Sequence, residues 1–238
     1  MKTLPFLALA LAALFIAGCD KSSSAPAAKG GEASKTVTPP TPEAPKVPDA
    51  LKTDGYYYYG LDNTQPLTYS VSDGVAKPAD GVQTVQLKGA DKDANYTISR
   101  TGALTNMGDE DLVVKADGVY LVRSMWGPVE PPMLSFPDKA AEGKTWKTAS
   151  EMKGADDRSI KMECNWTIGK AEKLKVEAGE FDVIKVTGNG SLTMEGKSHP
   201  LTAEGWYSKK VGAVKLSVKS KDDAGKDKAT VVELKKVG

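Results

Sequence analysis

From residue 51 onward, apolar and polar residues alternate in short runs separated by turn-forming residues. The clearest run is Ile160, Met162, Cys164, Trp166 and Ile168, interleaved with Lys161, Glu163, Asn165 and Thr167. Successive side chains on a strand point to opposite faces, so this pattern predicts one buried and one wet face. Val214, Leu216 and Val218 alternate in the same way with Lys215, Ser217 and Lys219. Residues 112–114 and 119–122 flank Asp117-Gly118, a hairpin signature. Residues 67–71, 82–87, 96–100, 182–186, 191–194 and 230–234 read as further strands. No long segment beyond residue 18 holds a helical period. About ten antiparallel strands predict an all-β fold, arranged as a curved sheet, half-barrel, barrel or sandwich.

The N-terminus follows a different pattern. Lys2 precedes a thirteen-residue apolar run, residues 4–16. That is short of the ~20 residues that a spanning helix needs, and it fits the apolar part of a signal peptide. Ile16-Ala17-Gly18-Cys19 closes the run and resembles the bacterial lipobox. The resemblance implies a diacylglyceryl group on the Cys19 sulfur and cleavage between Gly18 and Cys19. Small residues before the cysteine suit a narrow peptidase site, and only a thiol can form the thioether. Each buried methylene contributes about 0.8 kcal/mol, so two or three fatty chains of palmitate length anchor a protein stably. The expected location is therefore the cell envelope, on the periplasmic or extracellular side of a membrane. Asp20 resembles the residue that retains enterobacterial lipoproteins in the inner membrane, which implies retention there.

Residues 19–50 read as the lipidated end and a disordered tether. They are rich in Ser, Ala, Lys and Pro, include Pro26, Pro39, Pro40, Pro42, Pro45 and Pro48, and hold no aromatic residue. Such a composition buries too little apolar surface to offset the entropy of ordering. A flexible chain of about 30 residues spans roughly 30 Å. Residues 51–238 are long enough for a single β-domain with a sizeable core. Gly127-Pro128-Val129-Glu130-Pro131-Pro132 leaves open a seam near 127–132.

Three segments of the second half carry a family resemblance: Gly143 to Trp146, Val176-Glu177-Ala178-Gly179-Glu180-Phe181-Asp182-Val183-Ile184-Lys185-Val186, and Trp206-Tyr207-Ser208-Lys209-Lys210-Val211-Gly212-Ala213-Val214-Lys215. Together they resemble the family called domain of unknown function 3108 and its TapB-like relatives. The resemblance implies a β-rich envelope domain, compared in places with half-barrels that hold lipid-like ligands, and implies no catalytic residue. Physically, Ala178-Gly179 suits a tight turn, Phe181 can plug a sheet end, and Gly212 suits a bulge or turn.

The available chemistry is sparse. His199 is the only histidine; it precedes Pro200 in what reads as a polar loop, with no serine nearby in a nucleophile-elbow pattern. Cys164 stands alone on the inward period, so neither a zinc site nor an intramolecular disulfide with the acylated Cys19 is expected. The acid runs Asp109-Glu110-Asp111, Asp156-Asp157 and Asp222-Asp223 read as solvated turns. A net charge of +1, with Arg100, Arg123 and Arg158 the only arginines, argues against a nucleic-acid partner. No catalytic residue, metal or cofactor is therefore expected.

Tyr56, Tyr57, Tyr58 and Tyr59, read as a strand with two rings on each face, form a candidate binding surface, and Trp126 is a second candidate. The expected function is a noncatalytic module, held at a membrane by its lipid anchor, that binds an envelope protein or a hydrophobic ligand. The alternatives are a structural or assembly factor of an envelope machine, and an envelope hydrolase.

Overall fold

The computed structural model describes residues 46–74, 76–154, 159–221 and 227–238. The proposed signal peptide, Gly18, Cys19, Asp20, most of the tether and the acid runs at 156–157 and 222–223 lie outside these residues. Twelve antiparallel strands form a closed barrel: β1 (Leu67–Ser72), β2 (Ala79–Ala90), β3 (Ala94–Gly102), β4 (Glu110–Lys115), β5 (Gly118–Ser124), β6 (Gly127–Pro137), β7 (Thr145–Lys153), β8 (Ser159–Val176), β9 (Gly179–Met194), β10 (Lys197–Ser208), β11 (Gly212–Lys221) and β12 (Asp227–Val237). From β1 to β12 each strand pairs with its successor, and β12 closes on β1 from Leu67↔Val237 to Ser72↔Val231. Closure leaves the sheet no free edges.

The alternating runs account for the walls. Ile160, Met162 and Ile168 of β8, Val186 and Leu192 of β9, and Leu201, Ala203 and Val218 belong to the main core with Tyr96, Ile98, Leu112 and Phe136. In a second cluster Val176, Phe181 and Val183, near the β8–β9 turn, pack with Leu67, Val211, Val214 and Leu234. The Asp117-Gly118 hairpin forms between β4 and β5, with Lys115 opposite Gly118.

Several elements differ from the sequence expectation. Residues 182–186 and 191–194 belong to one continuous β9. The suspected seam at 127–132 is the first half of β6, which pairs with β5 through Pro128↔Arg123 and with β7 through Val129↔Met152 and Glu130↔Glu151. His199 lies within β10 opposite Leu192, not in a loop, and Pro200 faces Ser191.

The tyrosine run is helical rather than extended. Thr53 is the N-cap of α1 (Asp54–Tyr58), its side chain accepting from the Tyr56 N–H, and Tyr59 is the C-cap. This short helix lies at the barrel end that carries the β10–β11 turn and the β5 start. Asp54 fastens it from both directions: Oδ2 accepts from the Ala140 N–H at 3.1 Å, and Oδ1 accepts from Lys209 Nζ. At Gly55 a Cβ would come within 2.5 Å of the Pro137 carbonyl oxygen, so the close seating of α1 on β6 requires glycine there.

Candidate functional site

Two spaces open inside the fold. At the α1 end, a mouth of about 590 Å³ is lined by Val47, Pro48, Tyr56, Leu61, Val85 and Leu87, with Tyr96 at its base and Lys46, Lys52, Asp49 and Asp62 around it. The Tyr96 hydroxyl donates to the Tyr56 hydroxyl at 3.3 Å, which in turn donates to the Leu61 carbonyl at 3.4 Å. Burial and this bond raise the ionisation range of Tyr96 far above that of a free phenol. Val47, at the first described turn of chain, packs against the core beside this mouth.

The second space is a cavity of about 170 Å³ in the barrel interior. Its walls are mostly apolar, and they collect Met107, Met125, Met133, Met152 and Met162, five of the seven methionines in the chain. Methionine is flexible and polarizable, and surfaces rich in it adapt to ligands of differing shape. Trp126 and Trp166 join the lining. Trp166 stacks on Trp146 with ring centres 6.1 Å apart, and its indole N–H donates to Thr148 Oγ1 at 3.1 Å. Gly188 makes room for that ring, since a Cβ there would fall 2.3 Å from it.

One part of the cavity is polar. The Arg100 guanidinium donates from Nε to Gln83 Oε1 at 3.1 Å, from Nη1 to the Gly108 carbonyl at 2.9 Å, and from Nη2 to Glu110 Oε2 at 3.0 Å. Burial opposes the Arg100 charge, and the adjacent Glu110 carboxylate more than restores it. Tyr59 and Tyr207 also line the cavity. Burial, reinforced by Glu110, pushes the Tyr207 hydroxyl up to about 12 and Tyr59 well above the free phenol. Tyr207 packs edge-on against Phe136 at 5.4 Å and over Gly205, where a Cβ would meet the ring at 2.4 Å.

The expected site residues separate. Tyr59 and Trp126 come together on the interior cavity, Tyr56 lines the mouth, and Tyr58 stacks on Phe136 at 5.8 Å beneath Lys209. Tyr57 packs edge-on against Tyr56. The acid run at 109–111 is not a set of solvated turn residues: Glu110 is buried against Arg100, while Asp111 pairs with Arg123 nearer the surface. Cys164 is buried, and burial pushes its thiol up to about 11. Among the described residues no group of His, Cys, Asp and Glu is placed to hold a metal. No described helix is long and apolar enough to cross a membrane.

The sequence reading missed Arg100, Gln83, Glu110, Tyr207 and the methionine lining. One signal was present: Arg100 shares the inward period of Tyr96 and Ile98, and a cation on an apolar face requires a buried partner.

A crystal structure of a candidate exported protein with a YmcC-like fold from Bacteroides fragilis NCTC 9343 aligns with a TM-score of 0.51 at 12% identity, covering 76% of this chain and 98% of that one. The chain shares its fold. A candidate lipoprotein from Parabacteroides distasonis ATCC 8503 aligns equally, with a TM-score of 0.52 at 13% identity and the same coverage of 76% and 98%. No protein-family model and no curated protein matches the chain, so the resemblance to domain of unknown function 3108 rests on its short motifs.

Proposed function

We propose that the protein is a membrane-tethered lipoprotein of the bacterial cell envelope whose barrel binds a small apolar ligand in its interior. The methionine-lined cavity carries this reading. An eight-stranded barrel is just wide enough to be filled by its own side chains, and barrels with more strands have room for a ligand or channel. Here twelve strands leave a space that is apolar along most of its wall and polar at Arg100 and the tyrosines. A few convergent polar groups in an apolar pocket are the usual composition of a small-molecule site.

The address is supported by the lipobox-like Ile16 to Cys19 and by two proteins of similar fold described as a candidate lipoprotein and a candidate exported protein. Lys46 and Val47, where the described chain begins, line the mouth at the α1 end.

Methionine-methyl NMR tests the site directly, because the lining supplies its own probes. Titration with toluene, a small neutral apolar compound, is expected to shift the methyl signals of the five cavity methionines and to leave Met194 unmoved. Ala203→Phe, which fills the cavity from β10, is expected to suppress those shifts. Unmoved cavity methyls in the unaltered protein would defeat the reading.

A further inference from the structure

We infer that the interior ligand is an uncharged amphiphile, an apolar body with one neutral hydrogen-bonding head such as an alcohol or an ester or amide carbonyl. This rests on the interior cavity being a ligand site, and it follows from how the charges on its wall are spent. Arg100 and Glu110 neutralise each other at 3.0 Å with side chains only 6% and 9% exposed. A third ion would enter without a counter-charge: a carboxylate or phosphate would compete with Glu110 for the same guanidinium, and an ammonium would face Arg100. Taking an ion out of water without a partner costs several kcal/mol. Glu204, the remaining charged residue on the lining, is held by Lys185 Nζ at 2.6 Å.

Neutral hydrogen-bonding capacity, by contrast, is left over. A guanidinium carries five N–H donors, and three are used by Gln83, Gly108 and Glu110. One donor therefore stays available on each terminal nitrogen. The Tyr207 hydroxyl on the same cavity has no hydrogen-bond partner among the described residues. A neutral oxygen can accept from these groups without disturbing the Arg100–Glu110 pair. The cavity of about 170 Å³ sets the scale of the ligand. An engineered apolar cavity of ~150 Å³ holds benzene, so a body of roughly six to eight non-hydrogen atoms fits, with more where methionine side chains yield.

The test compares 1-hexanol with hexanoate at about pH 8, above the carboxylate range, reading the cavity methionine methyls of the unaltered protein. Hexanol is expected to bind at least about tenfold more tightly, tenfold corresponding to 1.4 kcal/mol. Glu110→Gln keeps an acceptor oxygen beside Arg100 but frees its charge, and is expected to reverse the order in favour of hexanoate. Preference of the unaltered protein for hexanoate would overturn the inference while leaving the cavity a ligand site. Failure of both compounds, and of toluene, to move any cavity methyl would overturn the site itself. An unreversed order in a folded Glu110→Gln variant would refute the charge argument. If that variant does not fold, the comparison in the unaltered protein still decides.

Discussion

Arg100 on β3 and Glu110 on β4 meet inside the barrel, Nη2 to Oε2 at 3.0 Å, and both side chains are less than a tenth exposed. Next to Glu110 on β4, Asp111 pairs with Arg123 of β5, at side-chain exposures of 33% and 46%. The two pairs share a sheet and differ in burial, which makes them a controlled comparison. Glu110→Ala strands a buried cation and is expected to cost about 3–5 kcal/mol. Asp111→Ala removes an exposed partner and is expected to cost about 0–1 kcal/mol. Urea denaturation of both variants checks this, and equal losses would show that Arg100 is better hydrated than its burial implies.

Gly188 on β9 and Trp166 on β8 form a second exact fit, because a Cβ at Gly188 would lie 2.3 Å from the indole. Gly188→Ala is expected to push Trp166 off its stack with Trp146 and to cost about 1–3 kcal/mol, the usual range for an overpacked core. Near-UV circular dichroism should lose tryptophan signal in the folded variant, and the melting temperature should fall. An unchanged spectrum would mean that the ring shifts at little cost.

Cys164 supplies a pH signature. Burial raises its thiol from 9.0 to about 11, so the folded chain holds that proton where the unfolded chain releases it. Stability is then full below pH 9 and declines as the pH rises toward about 11. Cys164→Ala should flatten this part of the profile and leave a decline above pH 10, where Tyr207, raised to about 12, acts in the same direction. Urea midpoints measured from pH 8 to pH 11 in both proteins check the sign. The same burial predicts slow alkylation of Cys164 in the folded protein at neutral pH.

Much of the barrel was legible because a wall with one wet face writes its period into the sequence. Ile160 to Ile168 reads as a strand for that reason and forms part of β8. β6 was obscured by Pro128, Pro131 and Pro132, which lack the N–H that a ladder needs. Pro131 and Pro132 are accommodated because the β6–β7 register consists of Val129↔Met152 and Glu130↔Glu151, and stops before Pro131. The tyrosine run misled in the opposite sense. Aromatic residues favour strands, yet Thr53 and Asp54 carry a helix N-terminal signal, and Thr53 does cap α1.

The candidate site was less legible than the fold. Alternation separates Glu110 from Asp109 and Asp111, but the partner of Glu110 depends on the offset between β3 and β4, with Ile98 opposite Glu110. That register places Arg100 beside Glu110 across a loop that single-strand patterns do not encode. The methionines lie on five separate segments, and closure of the sheet is what brings them onto one cavity.

For the proposed anchor, Cys19→Ala is expected to leave the barrel folded and to abolish stable membrane association. Fractionation after a high-salt wash checks this. A variant that still sediments with membranes would refute acylation at Cys19 as the anchor.

The central claim is that the barrel interior holds a small apolar molecule. Its most direct test is native mass spectrometry of the chain from residue 20 onward, exported into its host's envelope behind a signal that leaves no lipid. A single co-purifying neutral mass, released on denaturation and absent from Ala203→Phe, is the predicted result. A bare protein mass under the same gentle conditions, with toluene unable to shift the cavity methionines, would contradict it.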